Sequence, residues 1–119
     1  MLTIPPAAPN RRRSTITTRL LLARHGETEW NRQGRWQGQA DLALNERGRQ
    51  QAMALAASLK NEPLAAVYSS TLRRAVETAQ AVAAQHRLNV CRDERLMEIN
   101  LGEWEGLLYQ QIAAQYPDL

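Results

Sequence analysis

Short apolar blocks alternate with amphipathic stretches along this chain. Leu20, Leu21, Leu22 and Ala23 form the first block, which has the length of a buried strand and runs directly into Arg24, His25 and Gly26. Successive side chains of a strand point to opposite faces, so Arg24 and His25 converge on one ligand only if the backbone leaves extended geometry there, and Gly26 permits such a turn. A polar connection with Trp30, Gly34, Trp36 and Gly38 follows. Asn45 is placed to cap a helix over residues 46–60, in which Ala52, Leu55, Ala56 and Leu59 recur at helical spacing, and Asn61 and Pro63 stop it. Residues 64–68 read as a second buried strand ending in Ser69, Ser70 and Thr71. Ala75, Ala79, Val82 and Ala83 repeat the helical stripe, which closes near His86. A weaker third strand over residues 88–91 leads to Arg95, Leu96, Met97 and Glu98; Gly102 and Gly106 mark a loop, and residues 107–116 form a last helix with Leu108 and Ile112 inward. Strand and helix in alternation imply an α/β fold with a parallel sheet, right-handed crossovers and cover on both faces. The chain stops at Leu119 just after a helix, and the sheet reads as unfinished.

Composition narrows this picture in two places. The chain has 119 residues, enough for one domain with a real core, and no apolar run approaches the roughly 20 residues of a membrane span, so no membrane partner is expected. The formal charge of +3 arises at the start, where Arg11, Arg12, Arg13 and Arg19 stand without a single acid; the remainder carries 11 bases against 12 acids. Residues 1–18, with Pro5, Pro6 and Pro9 and no hydrophobic period, are expected to be a disordered basic tail, and residues 19–119 the folded part. The arginine run reads as a solvated tail, with no nucleic acid expected; an organellar transit peptide is the lesser reading of that segment. Cys91 is the only cysteine, which excludes an internal disulfide, argues against a cysteine-based zinc site and fits a reducing, cytoplasmic setting.

Chemistry gathers at the expected strand ends. Arg24 and His25 follow the first strand, Arg74 lies just beyond the second, and Glu98 follows the third. Two guanidiniums match a phosphate dianion with forked donors and stay charged at any relevant pH. A histidine between such cations is pushed toward its neutral form, freeing a ring nitrogen as nucleophile or base. Glu98 would pass a proton to a leaving oxygen if burial raises its pKa.

Arg24-His25-Gly26-Glu27-Thr28-Glu29-Trp30-Asn31 resembles the signature of the histidine phosphatase superfamily, the phosphoglycerate-mutase-like proteins. The resemblance continues, in order and spacing, through Gln37-Gly38, the stretch from Asp41 to Gly48, Gln51-Ala52, the stretch from Ser69 to Ala75, Thr78-Ala79, Glu98 and the stretch from Leu101 to Gly106. It implies the N-terminal part of a three-layer α/β/α fold with a mainly parallel sheet. It further implies that His25 attacks phosphorus in line and carries a phosphohistidine, while Glu98 protonates the departing alcohol and later deprotonates water. Arg24 and Arg74 would hold the phosphoryl oxygens, Asn31 would add a hydrogen bond, and Gln37 and Gly38 would lie beside a phosphorylated small-molecule substrate. No metal and no cofactor are implied, because the arginines supply the charge stabilisation. Residues 102–117 look more like the phosphatase branch than true phosphoglycerate mutases.

One element of that pattern is missing. The family carries a second histidine downstream of the glutamate, and no histidine follows Glu98. His86 does not replace it, because twelve helical residues place it about 18 Å from Arg74; it is expected at a helix C-terminus. Three readings therefore stand: a metal-independent phosphomonoesterase, a truncated and catalytically impaired protein that binds a phosphorylated ligand or a partner, and a mutase. An incomplete sheet also predicts self-association through an exposed edge. Trp30, Trp36 and Trp104 are either pocket walls or packing, and Glu27, Glu29, Glu103 and Glu105 read as solvent-facing or loop-fixing.

Overall fold

In the computed structural model, residues 16–118 are described. Most of the basic tail expected over residues 1–18, residues 1–15, lies outside them. Four helices and two strands follow in the order α1 (Glu29–Gln33), α2 (Glu46–Ser58), β1 (Val67–Ser69), α3 (Arg73–Gln85), β2 (Val90–Arg92) and α4 (Tyr109–Gln115). Single 3-10 turns at Glu94–Leu96 and Gly102–Trp104 punctuate the stretch between β2 and α4.

Helix α2 begins where its cap predicts, and the last helix, expected from residue 107, begins at Tyr109. Asn45 accepts from the Gly48 amide at 2.8 Å and starts α2, whose inward face is Gly48, Ala52 and Ala56. Asp41 serves α3 from outside its own segment, accepting from the Arg73 amide at 2.7 Å. The inward face of α3 is Arg74, Val76, Thr78, Ala79, Val82 and Ala83. Small residues on both helices let their backbones approach, and α2 packs on α3 more extensively than any other pair of elements. Ala56, Leu59 and Val82 form the buried centre, with Leu21, Leu55, Leu64, Val67 and Ala81 packed around it. Full burial of each large aliphatic side chain stabilises the fold by about 1.5–3 kcal/mol.

β1 and β2 pair in parallel, as the alternation of elements requires, with Val67 opposite Val90, Tyr68 opposite Cys91 and Ser69 opposite Arg92. Helix α3 connects the two strands and packs against both. Tyr68 is 65% exposed and Cys91 is also exposed, so the far side of this pair is open among the described residues.

The structure differs from expectation at the first strand. Within residues 20–23 only Leu21 takes part in a β-bridge, and no ladder forms. Leu21 packs on the core cluster between exposed Leu20 and Leu22, and Ala23 is exposed as well. What the segment lacks among the described residues is a ladder, since its pairing stops at the single bridge of Leu21. The two paired strands begin two or three residues later than expected, because the apolar run includes an unpaired approach, partly buried at Leu64 and Leu88, as well as the ladder itself. The short helix α1 falls in the stretch read as a polar connection. It is built by a reciprocal cap in which Asn31 N–H donates to Thr28 Oγ1 at 3.2 Å and Thr28 N–H donates to Asn31 Oδ1 at 2.9 Å. No helix among the described residues is long and apolar enough to cross a membrane.

Candidate active site

The turn that carries His25 is made by two glycines in contact. A Cβ on Gly26 would sit 2.4 Å from Gly48 O, and a Cβ on Gly48 would sit 2.0 Å from Glu27 O. Gly26 does not adopt a positive φ, so its role is to admit this close approach, where the sequence pattern pointed to conformational freedom. The crossing is locked by hydrogen bonds on both sides. Asn45 N–H donates to Glu27 O and Glu27 N–H to Gln51 Oε1, both at 2.9 Å. Gly26 N–H donates to Thr78 Oγ1 at 2.9 Å, and that hydroxyl donates to Arg74 O at 2.8 Å. The turn that carries His25 is thereby tied to both α2 and α3.

His25 is half-buried, with Nδ1 2.6 Å from Gly26 O. A carbonyl only accepts, so Nδ1 carries the proton and the lone pair of the neutral ring is left on Nε2. Burial pushes the His25 pKa below its ordinary 6.5; the Gly26 bond and Glu98 oppose that shift, while the Arg74 and Arg24 charges add to it. The result is a neutral imidazole at pH 7 with one nitrogen free to attack.

Arg74 is only 3% exposed, unusual burial for a guanidinium. Nη1 donates to Ala40 O at 2.7 Å and Nη2 to Gly38 O at 2.6 Å, so the side chain holds the loop over residues 37–40 from beneath. Burial lowers its pKa, and the carboxylates of Glu98, Asp41 and Glu105 raise it. Arg24, by contrast, is exposed and makes no side-chain hydrogen bond among the described residues.

Each expected site residue can now be placed. His25, Arg24, Arg74 and Glu98 share one electrostatic neighbourhood, since the other three all act on the His25 ring. Arg24, His25 and Asn31 also line one cavity of about 440 Å³, whose back wall is Ala23, Gly26, Gln51, Ala52, Leu55 and Thr78. The Asn31 side-chain carbonyl is taken by the α1 cap, which leaves its NH2 group for a ligand. Gln37 is buried, with Oε1 accepting from Thr28 Oγ1 at 2.7 Å, and Gly38 is buried at a positive φ of 53°. Glu98 lies exposed, outside the buried setting expected of it, with Oε1 accepting from Ile99 N–H at 2.9 Å. His86 caps the far end of α3, where Nε2 donates to Leu59 O at 2.9 Å, well away from the site. Among the described residues no group of three or more His, Cys, Asp or Glu side chains is placed to hold a metal ion; the positive charge at the site is that of Arg24 and Arg74.

Sequence reasoning gave no role to Thr78, Gln51 or Gln39, which hold the site without touching its centre. Thr78 was visible in the motif series, and a threonine on the inward face of a helix, where apolar residues are the norm, was the signal.

The model of the histidine phosphatase superfamily (branch 1) matches residues 20–119. Phosphoserine phosphatase 1 of Hydrogenobacter thermophilus is 43% identical over 100 residues, covering 84% of this chain and 47% of that protein. Glucosyl-3-phosphoglycerate phosphatase of Mycobacterium tuberculosis is 48% identical over 100 residues, covering 83% of this chain and 44% of its own length. This chain therefore spans less than half the length of these relatives. Among solved structures, a mycobacterial glucosyl-3-phosphoglycerate phosphatase complexed with VO3 superposes with a TM-score of 0.76 at 44% identity, over 78% of this chain and 44% of that one. Phosphoserine phosphatase of Entamoeba histolytica in complex with 3-phosphoglyceric acid gives 0.69 at 41% identity, over 74% and 43%. With that model matched over residues 20–119 and relatives more than 40% identical, the chain belongs to the histidine phosphatase superfamily.

Proposed function

We propose that this chain carries the nucleophilic half of a phosphomonoester phosphatase that works through a phosphohistidine at His25. The observation that carries the reading is the bond from His25 Nδ1–H to Gly26 O, which presents an unprotonated Nε2 beside two guanidiniums. Nε2 attacks phosphorus, the P–O ester bond breaks, and the leaving oxygen takes a proton from the Glu98 carboxyl. Water then attacks the phosphohistidine, giving its proton to Glu98 and releasing inorganic phosphate with His25 regenerated. Arg24 and Arg74 hold the phosphoryl oxygens and stabilise the charge that spreads over them. The Asn31 NH2 group donates to the same anion, and Gln37 and Gly38 border the substrate. Small phosphomonoesters bearing a carboxylate, such as phosphoserine, are the substrates to try first, because the relatives named above are phosphatases of such compounds.

The test is acid-labile labelling from a phosphorylated substrate, with release of inorganic phosphate. Label at His25, lost in His25→Ala, supports the reading; label that persists in His25→Ala overturns it. The same reading places the protein in the cytoplasm, in keeping with an exposed free thiol at Cys91. Exposed Leu20, Leu22, Tyr68 and Ile99 support self-association of the isolated chain, and a monomer at all concentrations in sedimentation would remove that part.

A further inference from the structure

We propose that Gln39 and Glu105 are positioning residues for the Glu98 carboxyl, stapling the segment that carries it to the loop held by Arg74. The proposal rests on the reading of Glu98 as proton donor. Glu98 has little of its own to fix it: the side chain is exposed, and its one hydrogen bond among the described residues is to the amide of the next residue. Gln39 supplies a fixed point by donating from Nε2 to Glu98 O at 3.0 Å.

Glu105 supplies the other. Its Oε1 accepts from Gln39 N–H at 2.8 Å and from Leu101 N–H at 3.3 Å, so one carboxylate oxygen spans both segments. Glycine at residue 38 makes room for it, since a Cβ there would lie 2.6 Å from that same oxygen. The register of Glu105 is set by pairing on its C-terminal side. Trp36 N–H donates to Leu107 O at 3.0 Å, Gly106 N–H to Trp36 O at 2.8 Å and Arg35 Nη1 to Gly106 O at 2.7 Å. Because Arg74 holds Gly38 O and Ala40 O, the chain of contacts runs from the phosphate clamp through the loop to the acid. Held in this way, the Glu98 charge keeps acting on His25 and Arg74 while its carboxyl remains exposed to water.

A merely structural clasp and a positioning clasp are separable, because Glu98 raises the His25 pKa whereas Glu105 is not among the charges that act on it. The His25 ring is titrated by NMR in Gln39→Ala, Glu105→Ala and Glu105→Gln, each with Glu98 intact and with Glu98→Gln. In the Glu98 background, Gln39→Ala and Glu105→Ala should lower the His25 pKa toward that of Glu98→Gln. They should cause no further change in the Glu98→Gln background, and Glu105→Gln, which keeps the acceptor oxygen, should match the parent. Equal shifts in both backgrounds, or no shift in folded Gln39→Ala, overturn the proposal. Should Glu105→Ala fail to fold, Gln39→Ala decides alone, since it removes one exposed side-chain bond. If the parent chain releases no phosphate, the titration alone decides the clasp. Where phosphate is released, Gln39→Ala should lower kcat/KM for glycerol phosphate by about tenfold while sparing kcat/KM for p-nitrophenyl phosphate, because kcat/KM reports the loss of the leaving group and p-nitrophenolate needs little protonation. Equal slowing of both overturns the proposal.

Discussion

Gly26 N–H donates to Thr78 Oγ1 at 2.9 Å, and the same hydroxyl donates onward to Arg74 O at 2.8 Å, so one buried side chain joins the His25 turn to the helix that carries Arg74. Thr78→Val keeps the shape and removes both functions, leaving the buried Gly26 amide without a partner. The expected loss is about 1–3 kcal/mol of stability, read as a lower urea midpoint at unchanged slope, with kcat/KM on p-nitrophenyl phosphate falling alongside. Thr78→Ser should restore both. A valine variant as stable and as active as the parent would show that the hydroxyl holds nothing.

The crossing of Gly26 and Gly48 makes a second prediction with an internal control. Gly48→Ala places a methyl 2.0 Å from a backbone oxygen that cannot turn aside, so α2 must retreat from the His25 turn. Overpacking of this kind costs about 1–3 kcal/mol or more, despite the better helix propensity of alanine. Gly102→Ala meets nothing within 4 Å and carries only the strain of its positive φ of 57°, about 1–2 kcal/mol. Thermal melts of the two variants should therefore rank Gly48→Ala as the more damaged, and only that variant should lose phosphate release.

The uneven legibility of the site has a physical cause. Asn45, Ala52, Ala56 and Leu59 announce α2 because capping and burial are local and periodic, and α2 starts at Glu46 as they require. The parallel pairing of β1 and β2 follows from the order of elements. Residues 20–23 carry the same apolar signal yet form no ladder, because pairing depends on a neighbour that an apolar run cannot specify. Arg74 and His25 were legible as chemistry. Thr78, Gln39 and Gln51 were not, because each acts through a hydrogen bond to a group more than 20 positions away, which leaves no periodic trace.

The pH response of His25 has a definite sign. Burial first, then the Arg74 and Arg24 charges, hold its pKa below 6.5 in the folded chain, against the opposing Gly26 bond and Glu98 charge. As pH falls through about 6.5 the unfolded chain takes up this proton before the folded one, so stability declines until the folded pKa is reached and is level below it. Above that window His25 contributes nothing to the pH dependence. The acid limb of kcat/KM should accordingly lie below pH 6.5, since attack needs the unprotonated ring. Arg74→Gln should move that limb up and Glu98→Gln should move it down, and NMR titration of the ring should follow the same order. A His25 pKa above 6.5 in the parent chain would contradict this account.

Arg24 and Arg74 should separate cleanly in a comparison of stability with ligand affinity. Arg74 is buried and satisfies two backbone carbonyls, so Arg74→Ala strands Gly38 O and Ala40 O and opens a cavity under the loop; the expected cost is about 3 kcal/mol. Arg74→Lys keeps the charge but not the fork that reaches both oxygens, and should recover only part of that. Arg24 is exposed and bonds to nothing among the described residues, so Arg24→Ala should leave stability within about 0.5 kcal/mol. Both alanine variants should nevertheless weaken competitive inhibition by inorganic phosphate, because two guanidiniums share the anion. Chemical denaturation paired with phosphate inhibition checks all three variants. Equal destabilisation by Arg24→Ala and Arg74→Ala would mean that the clamp is not divided into one arginine that builds the site and one that only uses it.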